Sequence, residues 1–141
     1  MQQQPVVRTI AAIALGAIAG ALSRYYIGLS INNILGTTIP FSTLIINITG
    51  CFGMGLLVVL LATPAISRHP DLKLLLLTGF LGSYTTFSSY ELDSANLLAQ
   101  EQIGPALFYW IGSLCLGLLS LSLGILLSER LLIKLGENDL K

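Results

Sequence analysis

Forty-three consecutive residues, Tyr25 to Ser67, carry no formal charge, and neither do the shorter runs Thr9 to Ser23, Leu74 to Tyr90 and Gln102 to Ser128. Runs of this kind leave little to face water. A helix crosses the hydrocarbon core of a bilayer with about 20 residues, so the longest run is too long for one span. It is cut between Gly28 and Pro40, where Asn32, Asn33, Gly36, Thr37, Thr38 and Pro40 are all turn formers. The pattern predicts four transmembrane helices, over about residues 6–27, 41–62, 72–98 and 104–127, in one unit covering residues 1–141. They are joined by that polar turn, by a Pro64 to Pro70 loop with Arg68 and His69, and by an Ala99 to Ile103 loop.

Composition excludes the common alternatives. Only 10% of residues are charged and 54% are apolar, with a mean hydropathy of +0.82. Soluble domains carry about 25% charge. An ordinary soluble enzyme, a basic nucleic-acid binder and a disordered chain are all disfavoured. Arg8, an apolar run and Ala19-Gly20-Ala21 have the layout of a secretory leader, but three further apolar runs come after it, which favours a first span. Cys51 and Cys115 fall inside predicted spans, with no CxxC and no nearby His to make a zinc site. Four spans put both termini and the second loop on one side, with Arg8, Arg68, Lys73, Arg130, Lys134 and Lys141. The other side has Arg24 alone, so the termini are expected in the cytoplasm.

Polar residues within spans are costly in lipid and mark interiors or ion paths. The third span is the most unusual. After Leu74-Leu75-Leu76-Leu77 it runs Gly79-Phe80-Leu81-Gly82-Ser83-Tyr84-Thr85-Thr86-Phe87-Ser88-Ser89-Tyr90-Glu91. Glycines followed by β-branched threonines make a poor continuous helix, and a break is expected between Gly82 and Thr86. Inside a membrane, the freed backbone groups must be buried in protein, face water or hold an ion; the plainer alternative is a kink with Ser and Thr tying helices together. Thr43, Asn47 and Cys51 share one face of the second helix, with Asn47 about 9 Å from its start. Asn47 can bond a neighbouring helix or donate to a passing anion. Tyr109, Ser113, Gly117 and Ser120 form a stripe on the fourth helix that reads as packing or pore lining, and Gly16-x-x-x-Gly20 on the first signals close packing. There is no Walker loop, HExxH or nucleophile elbow, so no enzymatic role is expected.

Three segments together resemble the Fluc (CrcB) family of fluoride channels. Gly16 to Tyr25 is similar to the family's glycine-rich first helix ending in Arg-Tyr, and Thr43 to Phe52 to its TLxxNxxGxF motif; Gly79 to Tyr90 is similar to its GxxGxxTTFSxF signature. The resemblance implies an all-α membrane protein with a broken third helix, working in the bacterial plasma membrane as an antiparallel dimer with two fluoride pores. It implies passive export of cytoplasmic fluoride, and a structural Na⁺ held by the backbone carbonyls of Gly82 and Thr85. Phe87 and Tyr90 match the pore aromatics, with Tyr90 departing from the usual Phe. Asn47 matches the pore asparagine and Ser113 a fourth-helix serine on the same path. Thr43 and Thr86 are further donors, and Arg24 matches a vestibule arginine. Glu91 and Asp93 are given no role. The imbalance in Lys and Arg raises a heterodimer with a homologous partner of opposite bias as the alternative to a homodimer. A small dual-topology multidrug-type transporter is the competing function; it would need a deep carboxylate on the first helix, which has none. A membrane assembly subunit that transports nothing is a third class.

Overall fold

A computed structural model describes residues 6–35, 40–63 and 69–138 of the chain. Helix α1 is Val6–Leu35 and α2 is Phe41–Leu60. The third span is composite: a turn of α-helix, α3 (Pro70–Lys73), a π-helical stretch Leu74–Leu81, a short α4 (Gly82–Tyr84), then α5 (Phe87–Ala99). Helix α6 is Ile103–Asn138. No β-strand occurs among the described residues. The chain is an all-helical, multi-pass membrane protein, and α1, α2 and α6 are each long and apolar enough to cross a bilayer.

Two boundaries differ from the sequence expectation. Helix α1 runs eight residues past Ile27. Gly28, Asn32 and Asn33 do not stop it, and Ser30 Oγ donates to Tyr26 O at 2.8 Å instead of opening a turn. The connection to α2 is confined to the few residues after Leu35, and residues 36–39 lie outside the described ones, as do 64–68 of the next loop with Arg68, and Lys141. Helix α6 continues well past Leu127 because charge ends a span without ending a helix. Its 36 residues measure about 54 Å, against a hydrocarbon core of about 30 Å.

The elements pack as two close pairs, α1 with the third span and α2 with α6. Glycine sets both approaches. A Cβ at Gly16 would run into the Leu75 carbonyl and one at Gly20 into that of Phe80; Gly55 faces the Leu121 carbonyl and Gly124 that of Phe52. Serine hydroxyls add cross-links. Ser83 Oγ donates to Ala17 O at 2.8 Å, Ser120 Oγ to Ile48 O at 2.8 Å, and Ser128 Oγ to Leu56 O at 2.7 Å. Small residues and serine hydroxyls thus line the close seams, Leu44, Ile46, Leu81 and Leu97 are buried, and Ile10, Leu15, Ile18, Leu114, Leu119 and Leu123 are exposed. The apolar outer surface matches helices solvated by lipid, which associate through small residues and side-chain hydrogen bonds.

Contacts between ends fix the order of crossings. Arg8, near the start of α1, pairs with Asp71 at the start of the third span. Ser128, late in α6, meets Leu56 near the end of α2. The start of α1, the end of α2, the start of the third span and the late part of α6 thus share one side. At the opposite side α5 ends in a Schellman motif, with Gln102 N donating to Leu97 O at 3.0 Å and Glu101 N to Leu98 O at 2.9 Å. Glu101 occupies the left-handed position with φ 58°.

Candidate functional site: a groove beside the broken third span

The third span breaks at Thr85 (φ −79°, ψ 158°) and Thr86 (φ −150°, ψ 122°), two consecutive extended residues. Gly82 remains helical at φ −64°, ψ −27°. The interruption thus falls on the β-branched residues, whose preference is for extended backbone, at the far end of the interval expected. A side chain from α2 holds it open. Asn47 Nδ2 donates to Thr86 O at 3.0 Å, and Thr86 N donates to Asn47 Oδ1 at 2.9 Å, so the amide bonds both the N–H and the C=O of one residue. Thr86 then caps α5: its Oγ1 accepts from Ser89 N at 3.1 Å.

Beside the break lies a groove of about 690 Å³ between α2, α5 and α6. One edge is polar, with Asn47, Thr86 and Ser113; a second is aromatic, with Phe87, Tyr90 and Trp110; the rest is apolar, including Met54, Leu114 and Leu121. Every lining residue is uncharged. Ser113 Oγ is buried with no hydrogen-bond partner among the described residues. Phe87 is 74% exposed in the single subunit, and its ring centroid is 5.8 Å from that of Tyr90. The Tyr90 ring stacks on Tyr109, and its hydroxyl donates weakly to Trp110 O at 3.4 Å. Behind them Tyr109 OH donates to Asp93 Oδ2 at 3.2 Å.

Of the residues expected to act together, Asn47, Thr86, Phe87, Tyr90 and Ser113 meet in this groove, and Thr85 joins its lining. Three lie elsewhere. Thr43 reaches the Tyr109 hydroxyl on the buried side of the aromatic stack, Arg24 sits on α1 away from the groove, and Gly82 is exposed on the third span. The stripe on α6 divides by position: Ser113 and Gly117 line the groove, whereas Tyr109 is wholly buried and Ser120 bonds α2. Trp110 and Ile111 are groove residues that the sequence pattern does not single out. Trp110, Leu114, Gly117 and Leu121 recur at helical spacing beside Ser113, a stripe visible only if large apolar residues count as groove lining. Asp93, without a role on sequence grounds, is the acceptor for Tyr109, while Glu91 is exposed on α5.

Comparison with known proteins shows the family. The family described as CrcB-like protein, Camphor Resistance (CrcB), matches residues 11–125. A protein of Trichormus variabilis named fluoride-specific ion channel FluC is 49% identical over 129 residues, covering 92% of this chain and 94% of its own. Proteins of the same name from Synechocystis sp. (48% identical, covering 89% of this chain and 96% of its own) and Acidobacterium capsulatum (43%, 84% and 94%) are similar along nearly their whole length. With the family model matching residues 11–125 and these relatives 43–49% identical over most of the chain, this chain belongs to the CrcB family, a family of channels and not of enzymes.

Proposed function

We propose that this chain is a fluoride-specific channel subunit that lets cytoplasmic fluoride leave down its electrochemical gradient. The observation that carries this reading is the groove, where an amide, hydroxyls and aromatic rings converge and no charged side chain contributes. A small, strongly hydrated anion gives up water only where donors replace it, and conducts only if each donor releases it again. Asn47 has one amide hydrogen committed to Thr86 O and one left over. The unpartnered Ser113 hydroxyl is a second donor, and the Thr86 hydroxyl lines the same groove. Ring edges of Phe87 and Tyr90 carry the positive end of the quadrupole and attract an anion without a trapping full charge. Arg24, on α1 away from the groove, would act on an anion only through its long-range field. The multidrug-type alternative loses its support with the family assignment.

The groove is open on one side, and the exposure of Phe87 there is what a second subunit would cover. An antiparallel homodimer with two pores accounts for it. The backbone supports a sodium site as well. In an unbroken helix Thr86 N would bond Gly82 O and Ser89 N would bond Thr85 O; both donors are engaged elsewhere. Carbonyls relieved in this way suit a hard cation, and Na⁺ held by Gly82 and Thr85 from two subunits would be structural, its charge offset by carbonyl dipoles. The subunits would lie in a bacterial plasma membrane. Purified protein in liposomes tests the function: selective efflux of fluoride over chloride supports it, and equal passage of both or no passage of fluoride refutes it.

A further inference from the structure

The sequence leaves Asn47 free to bond a neighbouring helix or to donate to an anion, and the family resemblance implies the second. The geometry points to a second role, in which Asn47 and Thr86 are positioning residues that create the cation site by drawing backbone donors away from Gly82 and Thr85. This rests on the sodium reading above. Asn47 Oδ1 captures the Thr86 N–H at 2.9 Å, the bond that would otherwise close on Gly82 O. Thr86 Oγ1 captures the Ser89 N–H at 3.1 Å, the bond that would otherwise close on Thr85 O. Asn47 Nδ2, donating to Thr86 O at 3.0 Å, prevents Thr86 from turning back into the helix. Two side chains thereby clear both carbonyls assigned to the cation. The space at Gly82 is open, since a Cβ placed there would meet nothing nearer than Leu77 O at 3.7 Å.

A consequence is that the two ion sites share one amide. Asn47 lines the groove and also holds the break, so the anion path and the cation cage are mechanically joined through a single side chain. Its oxygen serves the backbone, and only its remaining N–H is left for the anion.

The test is the sodium dependence of thermal stability of the detergent-solubilised full chain, titrated with NaCl against choline chloride, alongside fluoride efflux. The wild-type midpoint is expected to rise with Na⁺. Asn47→Leu and Thr86→Val are each expected to raise the half-saturating Na⁺ concentration by about tenfold or more. Thr86→Ser, which keeps the hydroxyl, stays within about threefold of wild type. Asn47→Asp keeps an acceptor for the Thr86 N–H but loses the donor to Thr86 O, so it is expected to lose fluoride efflux and to raise the half-saturating Na⁺ concentration by less than Asn47→Leu does. If Asn47→Leu does not fold, the Thr86 pair decides alone. Variants whose midpoint in choline falls while the half-saturating Na⁺ concentration stays put would overturn the positioning role and leave the sodium site standing. A wild-type protein indifferent to Na⁺ would overturn both.

Discussion

The ring of Tyr90 lies over that of Tyr109, with centroids 5.4 Å apart and planes 27° from parallel, and Tyr109 is fully buried. The groove aromatic is thus supported from behind by a side chain that is itself tied to Asp93. Stacking is a property of the ring, and the Tyr90 hydroxyl adds only a long contact of 3.4 Å to Trp110 O. Tyr90→Phe is therefore expected to keep fluoride efflux within about threefold of wild type, whereas Tyr90→Ala, which removes the ring, lowers it by about tenfold or more. Efflux from liposomes, recorded with a fluoride electrode, measures both.

Close helix approach makes a second expectation. A methyl group at Gly16 would collide with the backbone carbonyl of Leu75, which cannot swing aside as a side chain would. Gly16→Ala should destabilise the folded protein by about 1–3 kcal/mol. Gly104→Ala, at a position with nothing within 4 Å, should change stability by less than about 0.5 kcal/mol. Thermal unfolding of the two proteins in the same detergent separates them.

Ser128 offers a test of polar packing. It is fully buried and its hydroxyl donates to Leu56 O at 2.7 Å. Ser128→Ala removes one interhelical hydrogen bond between α2 and α6, and such bonds in membrane proteins average about 0.6 kcal/mol. A loss of that order in unfolding free energy, with fluoride efflux unchanged, is the expected result.

Glu101 occupies a left-handed backbone conformation, φ 58°, at the end of α5, where a side chain costs about 1–2 kcal/mol and glycine is the usual solution. Glu101→Gly should raise the thermal midpoint, in the same assay, without altering efflux. A lowered midpoint would mean the Glu101 side chain makes a compensating contact.

The expectation of a broken third span comes from residue types: threonines that resist helix followed by a stretch rich in hydroxyls. What single-residue preference cannot reveal is which residue enforces the break, because Asn47 and Thr86 are 39 positions apart. The π-helical stretch Leu74–Leu81 has no signature either, as four leucines suit an ordinary helix just as well. The ends of α1 and α6 lie beyond the expected limits for a shared reason. Asn32, Asn33, Glu129 and Arg130 mark where the apolar surroundings end, and the backbone continues in helix beyond that level. Groove membership is legible where polar residues line it and invisible where Trp110 and Met54 do, since an apolar residue in a membrane span is the default and draws no notice.

The overhang of α6 has a practical use. Beyond Leu127 the helix adds residues 128–138, about 16 Å of helix on which Glu129, Arg130 and Lys134 are exposed. A cleavable tag joined after the last residue would stand off from the headgroups, within reach of a protease. Protease added only outside sealed vesicles would then count the subunits pointing each way, turning the length of one helix into a gauge of insertion.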